Sequence, residues 1–248
     1  MAILPVNGSL HKNLWKMIKK YKKGNKVWIK EGKKTITKTK HLLGSLVGSV
    51  RTEQFSIFKT HLKPSKISII IDVGVSSEED IKGTNMFEKL YEFPRKLTLA
   101  TIENEKKLKS IYPNCKVVKI LPNKKLPFPD KSFDIAVSWA TVEHVGNYKD
   151  QEFFLNELIR IAKKVFVTTP YRGCFYEPHS GFIFIHWLPL SIFRWICKIL
   201  GKTYWSDVNN LNPLNVDNIK NMKLKRKPKI NVYKMFGILP SHLLIIIN

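Results

Sequence analysis

Acidic residues are scarce in this chain: 19 Asp and Glu stand against 43 Lys and Arg, a formal charge of +24 over 248 residues. Cysteine is scarcer still. Cys115, Cys174 and Cys197 lie far apart, which excludes a disulfide framework and offers no zinc-ligand spacing. A reducing, cytoplasmic compartment is the expectation. Long apolar runs are missing too. The longest stretch without a charged residue, 178–193, is 16 residues with Pro189 inside it, short of the roughly 20 apolar residues a membrane span needs. The N-terminal region is basic without an apolar run, so no secretory signal is expected. There is no internal repeat, no His-Glu-x-x-His pair of metal ligands, and no full glycine-rich dinucleotide fingerprint.

What is present is uneven. Residues 1–66 carry 16 basic and 2 acidic side chains, residues 220–234 carry seven basic and none acidic, and the centre is nearly balanced. Lysine supplies 37 of the 43 basic residues. Two basic flanks around a balanced centre suit either a solvated surface or an anionic partner, and say nothing of fold. In the first flank, Leu10, Leu14, Met17, Ile18 and Tyr21 have helical spacing, and 26–30 and 35–40 alternate like the strands of a hairpin. The expected division is a basic N-terminal extension, 1–66, and a main domain, 67–248.

From Ile67 the pattern changes to strands alternating with helices. Strands are expected at 67–73, 97–102, 116–121, 133–139 and 165–169, with helices at 85–93, 106–112 and 150–163 between them. Phe153, Phe154, Leu158 and Ile161 would be the apolar face of the last helix. This alternation makes an α/β, mostly parallel sheet covered on both sides. Residues 229–236 and 242–247 have no helix between them, so they should pair as a C-terminal antiparallel hairpin. Ligands of such sheets bind at the carboxyl ends of the strands. Those ends offer Asp72, Gly74 and Ser76; Glu103, an acid placed to accept ribose hydroxyls; Asn123; Ser138 and Trp139; and His144. Beyond the fifth strand lie Arg172, Glu177, His179 and His186.

The stretch LPFPDKSFDIAVSWATVEHV, residues 126–145, carries a specific resemblance. It is similar to the class I S-adenosylmethionine-dependent methyltransferases, type 11, which show Leu-Pro-Phe-Pro-Asp before a strand, then Phe-Asp, and Glu-His after it. Asp72-Val-Gly74 and its small polar followers, VFVTTPYRG, EPHSGFIFIHWLP and FGILPSHLLIIIN resemble a bacterial subgroup, so the resemblance covers about 67–248. It implies a seven-stranded Rossmann-like sheet and S-adenosylmethionine as cofactor, held by Asp72, Gly74, Ser76, Glu103, Asn123, Ser138 and Trp139. The family usually puts an acid after the third strand; here Pro122 and Asn123 stand there. His144 is the candidate general base, and Arg172, Glu177, His179 and His186 would line an acceptor pocket under an aromatic lid. No metal site is expected.

The resemblance further implies a small-molecule, saccharide or lipid-linked acceptor, with the basic flanks suited to an anionic membrane surface and a cytoplasmic, peripheral location. Two rivals remain open. An RNA methyltransferase would use the flanks with Trp15, Tyr21 and Trp28; salt-dependent RNA binding separates it. A cofactor-less binding protein on the same fold would bind no S-adenosylmethionine.

Overall fold

The structure is a computed structural model that describes residues 42–78 and 83–248. The helix expected over 10–21 and the hairpin over 26–40 lie outside those residues. A helix that no expectation covered opens the described chain: α1, Leu42–Leu62. Its buried positions Val50, Gln54, Phe55, Phe58 and Leu62 fall on one helical face. Lys63 turns left-handed at φ 48 and its N–H bonds the Lys59 carbonyl, and Pro64 prevents continuation. The buried face lies on the sheet, with the Phe58 ring edge-on to Phe87 and Phe166 at 5.1 and 5.5 Å. A boundary at residue 67 therefore separates α1 from the core cluster it joins.

Seven strands form one sheet: β1 (Ile70–Val73), β2 (Leu97–Thr101), β3 (Lys116–Lys119), β4 (Phe133–Trp139), β5 (Ala162–Pro170), and the hairpin of β8 (Lys229–Met235) and β9 (Leu239–Ile247), in the order β3-β2-β1-β4-β5-β9-β8. β1 to β5 are mutually parallel; β9 runs antiparallel between β5 and β8. A separate two-stranded ribbon joins β6 (Tyr176–Glu177) and β7 (Phe182–Ile183). Every residue of β1 and β2 is buried, as both faces of a parallel sheet must be. The covering helices are α1, α2 (Met86–Leu90), α3 (Glu105–Ile111), α4 (Tyr148–Ile161), α5 (Leu190–Ile199) and α6 (Val216–Lys220).

Several boundaries move, each for a local reason. β1 starts at Ile70, because Ile69 uses its N–H on the Asp134 carboxylate rather than in a regular ladder, and Ile67 and Ile69 are exposed. α2 has five residues, and Asn85 does not cap it: Asn85 sits at φ 53, and its amide brackets Ser76, accepting the Ser76 N–H and donating to the Ser76 carbonyl. α4 starts two residues early on a reciprocal cap between Asn147 and Asp150. Its core face is Leu155, Leu158, Ile159 and Ile161, while Phe153 faces solvent.

The chain order reverses direction between β1 and β4, which places a crevice at their carboxyl ends. Glu103, Glu143 and the segment after Pro170 all converge on that end of the sheet.

Candidate active site

The turn after β1 is built around Gly74. Its φ is +103, and a Cβ there would meet Thr141 Cγ2 at 2.3 Å. Glycine is required because the turn packs on the loop after β4. The next residues turn inward to the tip of β2. Glu103 Oε2 accepts the Ser77 N–H at 2.6 Å, the Ser77 hydroxyl at 2.8 Å and the Ser76 hydroxyl at 3.2 Å. Glu103 Oε1 makes no hydrogen bond among the described residues. Three donors from one loop thus fix the carboxylate while one oxygen stays available.

Not every expected cofactor residue faces this crevice. Asp72 is turned toward α1 and α2, where its carboxyl lies beside that of Glu88. Burial, and then the charge of Glu88, hold its carboxyl well above the usual carboxylate range, with Arg51 opposing. Asp72 is thereby a structural group. So is Ser138, fully buried, whose hydroxyl donates to the Val73 carbonyl at 2.8 Å and ties β4 to β1. Asn123 lies exposed in a left-handed turn beyond β3. Trp139 ends β4 under the Arg51 guanidinium, 5.7 Å from the ring centroid, and its indole Nε1 is buried with no hydrogen-bond partner among the described residues.

The Leu-Pro-Phe-Pro-Asp stretch has a mechanical role. Arg160 of α4 donates to the Leu126 carbonyl (2.9 Å), the Phe128 carbonyl (2.7 Å), the Asp130 carboxylate (2.8 Å) and both oxygens of Glu157 (2.8 and 2.7 Å). Glu157 also accepts the Leu126 N–H at 2.8 Å. These bonds clamp the β3–β4 connection onto α4 in front of β4. The acids in turn raise the Arg160 guanidinium above its ordinary value.

At the carboxyl ends of β4 and β5 the loops bring together residues that sequence reading kept in two groups. Glu143 is 1% exposed; its Oε2 accepts the Thr169 hydroxyl at 2.8 Å, and its Oε1 has no hydrogen-bond partner among the described residues. His144 places Nδ1 at 2.6 Å from the Asn210 carbonyl and Nε2 at 3.1 Å from Nε2 of His179. His179 Nδ1 lies 2.7 Å from Glu177 Oε1. Glu177 also accepts the His179 N–H and the backbone and hydroxyl of Ser180. Although burial opposes it, His179 and these hydrogen bonds hold Glu177 at about 2. Burial, then the neighbouring His179, pushes His144 down; Glu177 outweighs burial at His179 and raises it.

Beside this cluster lies a narrow pocket whose free volume of about 10 Å³ is roughly that of one water, lined among others by Glu143, Tyr171, Tyr176, Glu177, His179 and His186. His144 is not on its wall; the imidazoles that meet the pocket are those of His179 and His186. Arg172 lines it too, but its donors brace the segment above: Nε to the His186 carbonyl and Nη2 to the Leu188 carbonyl. His186 is buried, with Nε2 at 2.7 Å from the Cys174 carbonyl, and burial lowers its pKa. The outer side of the same segment is apolar and open to solvent. Phe184, Trp187, Ile192, Trp195 and Ile199 are all exposed, Trp195 by 61%.

Arg51, Glu88, Thr141, Thr169 and His242 were not singled out in the sequence. Arg51 hydrogen-bonds Thr168 and feels the charges of Glu143 and Asp72. It reaches the site from α1, so only the fold connects it to β4 and β5.

The strand order, with its antiparallel last pair and binding crevice between β1 and β4, is that of the Rossmann-like class I methyltransferases. Residues 95–165 match the type 11 family model described as a methyltransferase domain. Among solved structures, the chain is similar to the PH0226 protein of Pyrococcus horikoshii OT3 (TM-score 0.52, 13% identity, 80% of this chain and 89% of that one). It is also similar to geranyl diphosphate C-methyltransferase of Streptomyces coelicolor A3(2) (TM-score 0.51, 11% identity, 80% of this chain and 79% of that one). No curated protein matches the sequence. The matched domain and the fold support an S-adenosylmethionine-dependent methyltransferase, with S-adenosylmethionine as its cofactor. The free oxygen of Glu103 and the orphaned indole of Trp139 fit that cofactor; Asp72 and Ser138 face elsewhere. No helix among the described residues is long and apolar enough to cross a membrane.

Proposed function

We propose that this methyltransferase acts on a small-molecule, saccharide or lipid-linked acceptor, and that an acceptor with a lipid portion suits it best. S-adenosylmethionine, once bound, supplies an electrophilic methyl group on a sulfonium. Glu103 would accept its ribose hydroxyls, and Trp139 Nε1 offers a donor at the tip of β4. The protein's further task is to align the acceptor and exclude water. His179, oriented through Nδ1 by Glu177, presents its ring to the pocket in place of His144, the candidate base of the sequence.

The apolar outer face of 184–199 carries the choice of acceptor. Trp187 is 51% exposed while its indole N–H is anchored on the Cys174 carbonyl at 2.6 Å. α5 is pinned underneath by Phe193 and Cys197, which join a small core with Trp205. Aromatic and aliphatic side chains held outward on a fixed base, beside Arg194, Lys198 and Lys202, have the composition of an interfacial helix. His186 of the same segment lines the pocket, so an acceptor held at the apolar face would lie next to it.

Calorimetric titration with S-adenosylmethionine tests the reaction class. The native protein should bind, and Glu103→Gln should bind at least about tenfold more weakly, the scale of a hydrogen bond to a charged group. No binding at millimolar cofactor refutes the methyltransferase reading. Co-sedimentation with anionic phospholipid vesicles tests the acceptor class. The native protein should pellet and the Trp187→Ser/Trp195→Ser variant should not; equal behaviour of the two would leave a water-soluble saccharide or small molecule.

A further inference from the structure

We propose that Glu143, His144 and His179 form a binding site for a first-row divalent transition-metal ion whose open positions face the acceptor pocket. The proposal rests on the methyltransferase reading only for the identity of that pocket.

The hydrogen-bond partners of the two imidazoles set the argument. The Asn210 carbonyl can only accept, so His144 must carry its proton on Nδ1. Glu177 holds the Nδ1 proton of His179 in the same way. The two rings then turn their Nε2 atoms toward each other at 3.1 Å, so a shared proton or a metal ion must lie between or beside them. A backbone carbonyl behind one imidazole and a carboxylate behind the other is the outer-shell arrangement that orients histidine ligands on metals.

The third ligand is independent of the imidazoles. Glu143 Oε1 is buried without a hydrogen-bond partner among the described residues, an arrangement that costs about 1–3 kcal/mol, and more for a charged group, unless something fills it. It lies 3.9 Å from His144 Nε2, and one ligand atom from each of the three residues falls within 4.8 Å of the others. Bonds of about 2.0–2.2 Å from nitrogen and oxygen to zinc at tetrahedral angles put ligand atoms roughly 3.3–3.5 Å apart. Closing the site therefore needs small side-chain rotations. Thr169 already fixes the other oxygen of Glu143.

Charge and ligand type narrow the ion. Glu143 and Glu177 bring two negative charges against the guanidinium of Arg51, so a cation is not repelled overall. Two imidazoles with one carboxylate suit zinc, manganese, iron or cobalt better than magnesium or calcium, which prefer all-oxygen shells. Three protein ligands leave coordination positions open. Glu143 and His179 line that narrow pocket, so those positions would take an oxygen of the acceptor reaching into it. Glu143 and His144 come from the β4 loop and His179 from the β5 loop, so the ion would also lock the two loops together.

The test uses the untagged full chain. After removal of bound metal, one equivalent of Zn²⁺ or Mn²⁺ should be retained through gel filtration. Titration with Co²⁺ should give visible d–d bands saturating at one equivalent, and Mg²⁺ should compete poorly. Glu143→Gln, His144→Gln and His179→Gln should each abolish the cobalt spectrum, and Glu177→Gln, which removes only outer-shell support, should weaken binding about 10- to 100-fold. Circular dichroism and cofactor calorimetry on each variant report its fold. A folded, cofactor-binding protein that takes up no ion overturns the proposal: the pair is then an imidazolium donating to an imidazole. Retention of cobalt by all three ligand variants overturns it as well. Metal uptake without cofactor binding would instead sink the methyltransferase reading and leave the metal site standing.

Discussion

Replacing Gly74 by alanine probes the contact that holds the cofactor turn. At φ +103 an L-residue is strained by roughly 1–2 kcal/mol. The new methyl would also stand 2.3 Å from Thr141 Cγ2 and 2.4 Å from Thr141 Oγ1, more than an ångström inside ordinary contact. Relieving such an overlap in a packed region costs about 1–3 kcal/mol, so Gly74→Ala should destabilise by about 2–5 kcal/mol in total. The two components separate in a double-mutant cycle. Thr141→Gly removes the obstructing atoms and leaves the backbone strain. The double variant should therefore recover the overlap component, with a coupling of about 1–3 kcal/mol, read from urea unfolding by linear extrapolation. Cofactor affinity should follow the same pattern, because the displaced turn carries Ser76 and Ser77 off Glu103. Simple additivity of the two substitutions would refute the packing of the β1 turn on the β4 loop.

The other predictions concern the clamp and the pH dependence. Arg160→Ala strips donors from Leu126, Phe128 and Asp130 and leaves the nearly buried Glu157 uncompensated, at a cost of about 3 kcal/mol or more; Arg160→Lys should recover only part. A loss under 1 kcal/mol in urea unfolding would show that the Leu-Pro-Phe-Pro-Asp stretch does not depend on this arginine. The partly buried His242 is held at about 3 by burial, then by the charges of Arg51 and His179. Its folded pKa lies below the unfolded 6.5, so its stabilising effect is complete above pH 6.5 and is lost as pH falls toward 3. Its share of the loss is at most about 1.4 kcal/mol per pH unit. His242→Gln should flatten the fall in stability between pH 6.5 and 5, and an unchanged slope would contradict the neutral state of this ring.

Local rules were enough to read most of the sheet. Alternating strands and helices, the buried run ending at Val73, and the lack of room for a helix between 236 and 242 gave the parallel strands and the antiparallel pair. α1 was illegible because its buried stripe includes Gln54, its early turns contain Gly44 and Gly48, and its value lies in rings it meets far along the chain, Phe87 and Phe166. Asp72 misled for a related reason. A carboxylate at a strand end reads as a ligand contact, yet strand geometry points Asp72 to the same face as Ile70, and that face belongs to α1 and α2.

The site itself was legible in pieces. The sequence reads Glu143 only as part of the Glu-His motif, His144 as a candidate general base, and Glu177 with His179 as acceptor-pocket residues, and 35 residues separate the two histidines. Strand order removes that separation. β4 and β5 are adjacent and parallel, with Trp139 paired to Thr168, so the first residues beyond each strand leave the sheet at the same edge and height. Any polar side chain after β4 is then a neighbour of one after β5, and a partnerless oxygen on one loop faces the donors and lone pairs of the other. A buried carboxylate with one free oxygen, opposite two imidazoles whose other nitrogens are already held, follows from that adjacency and from no motif.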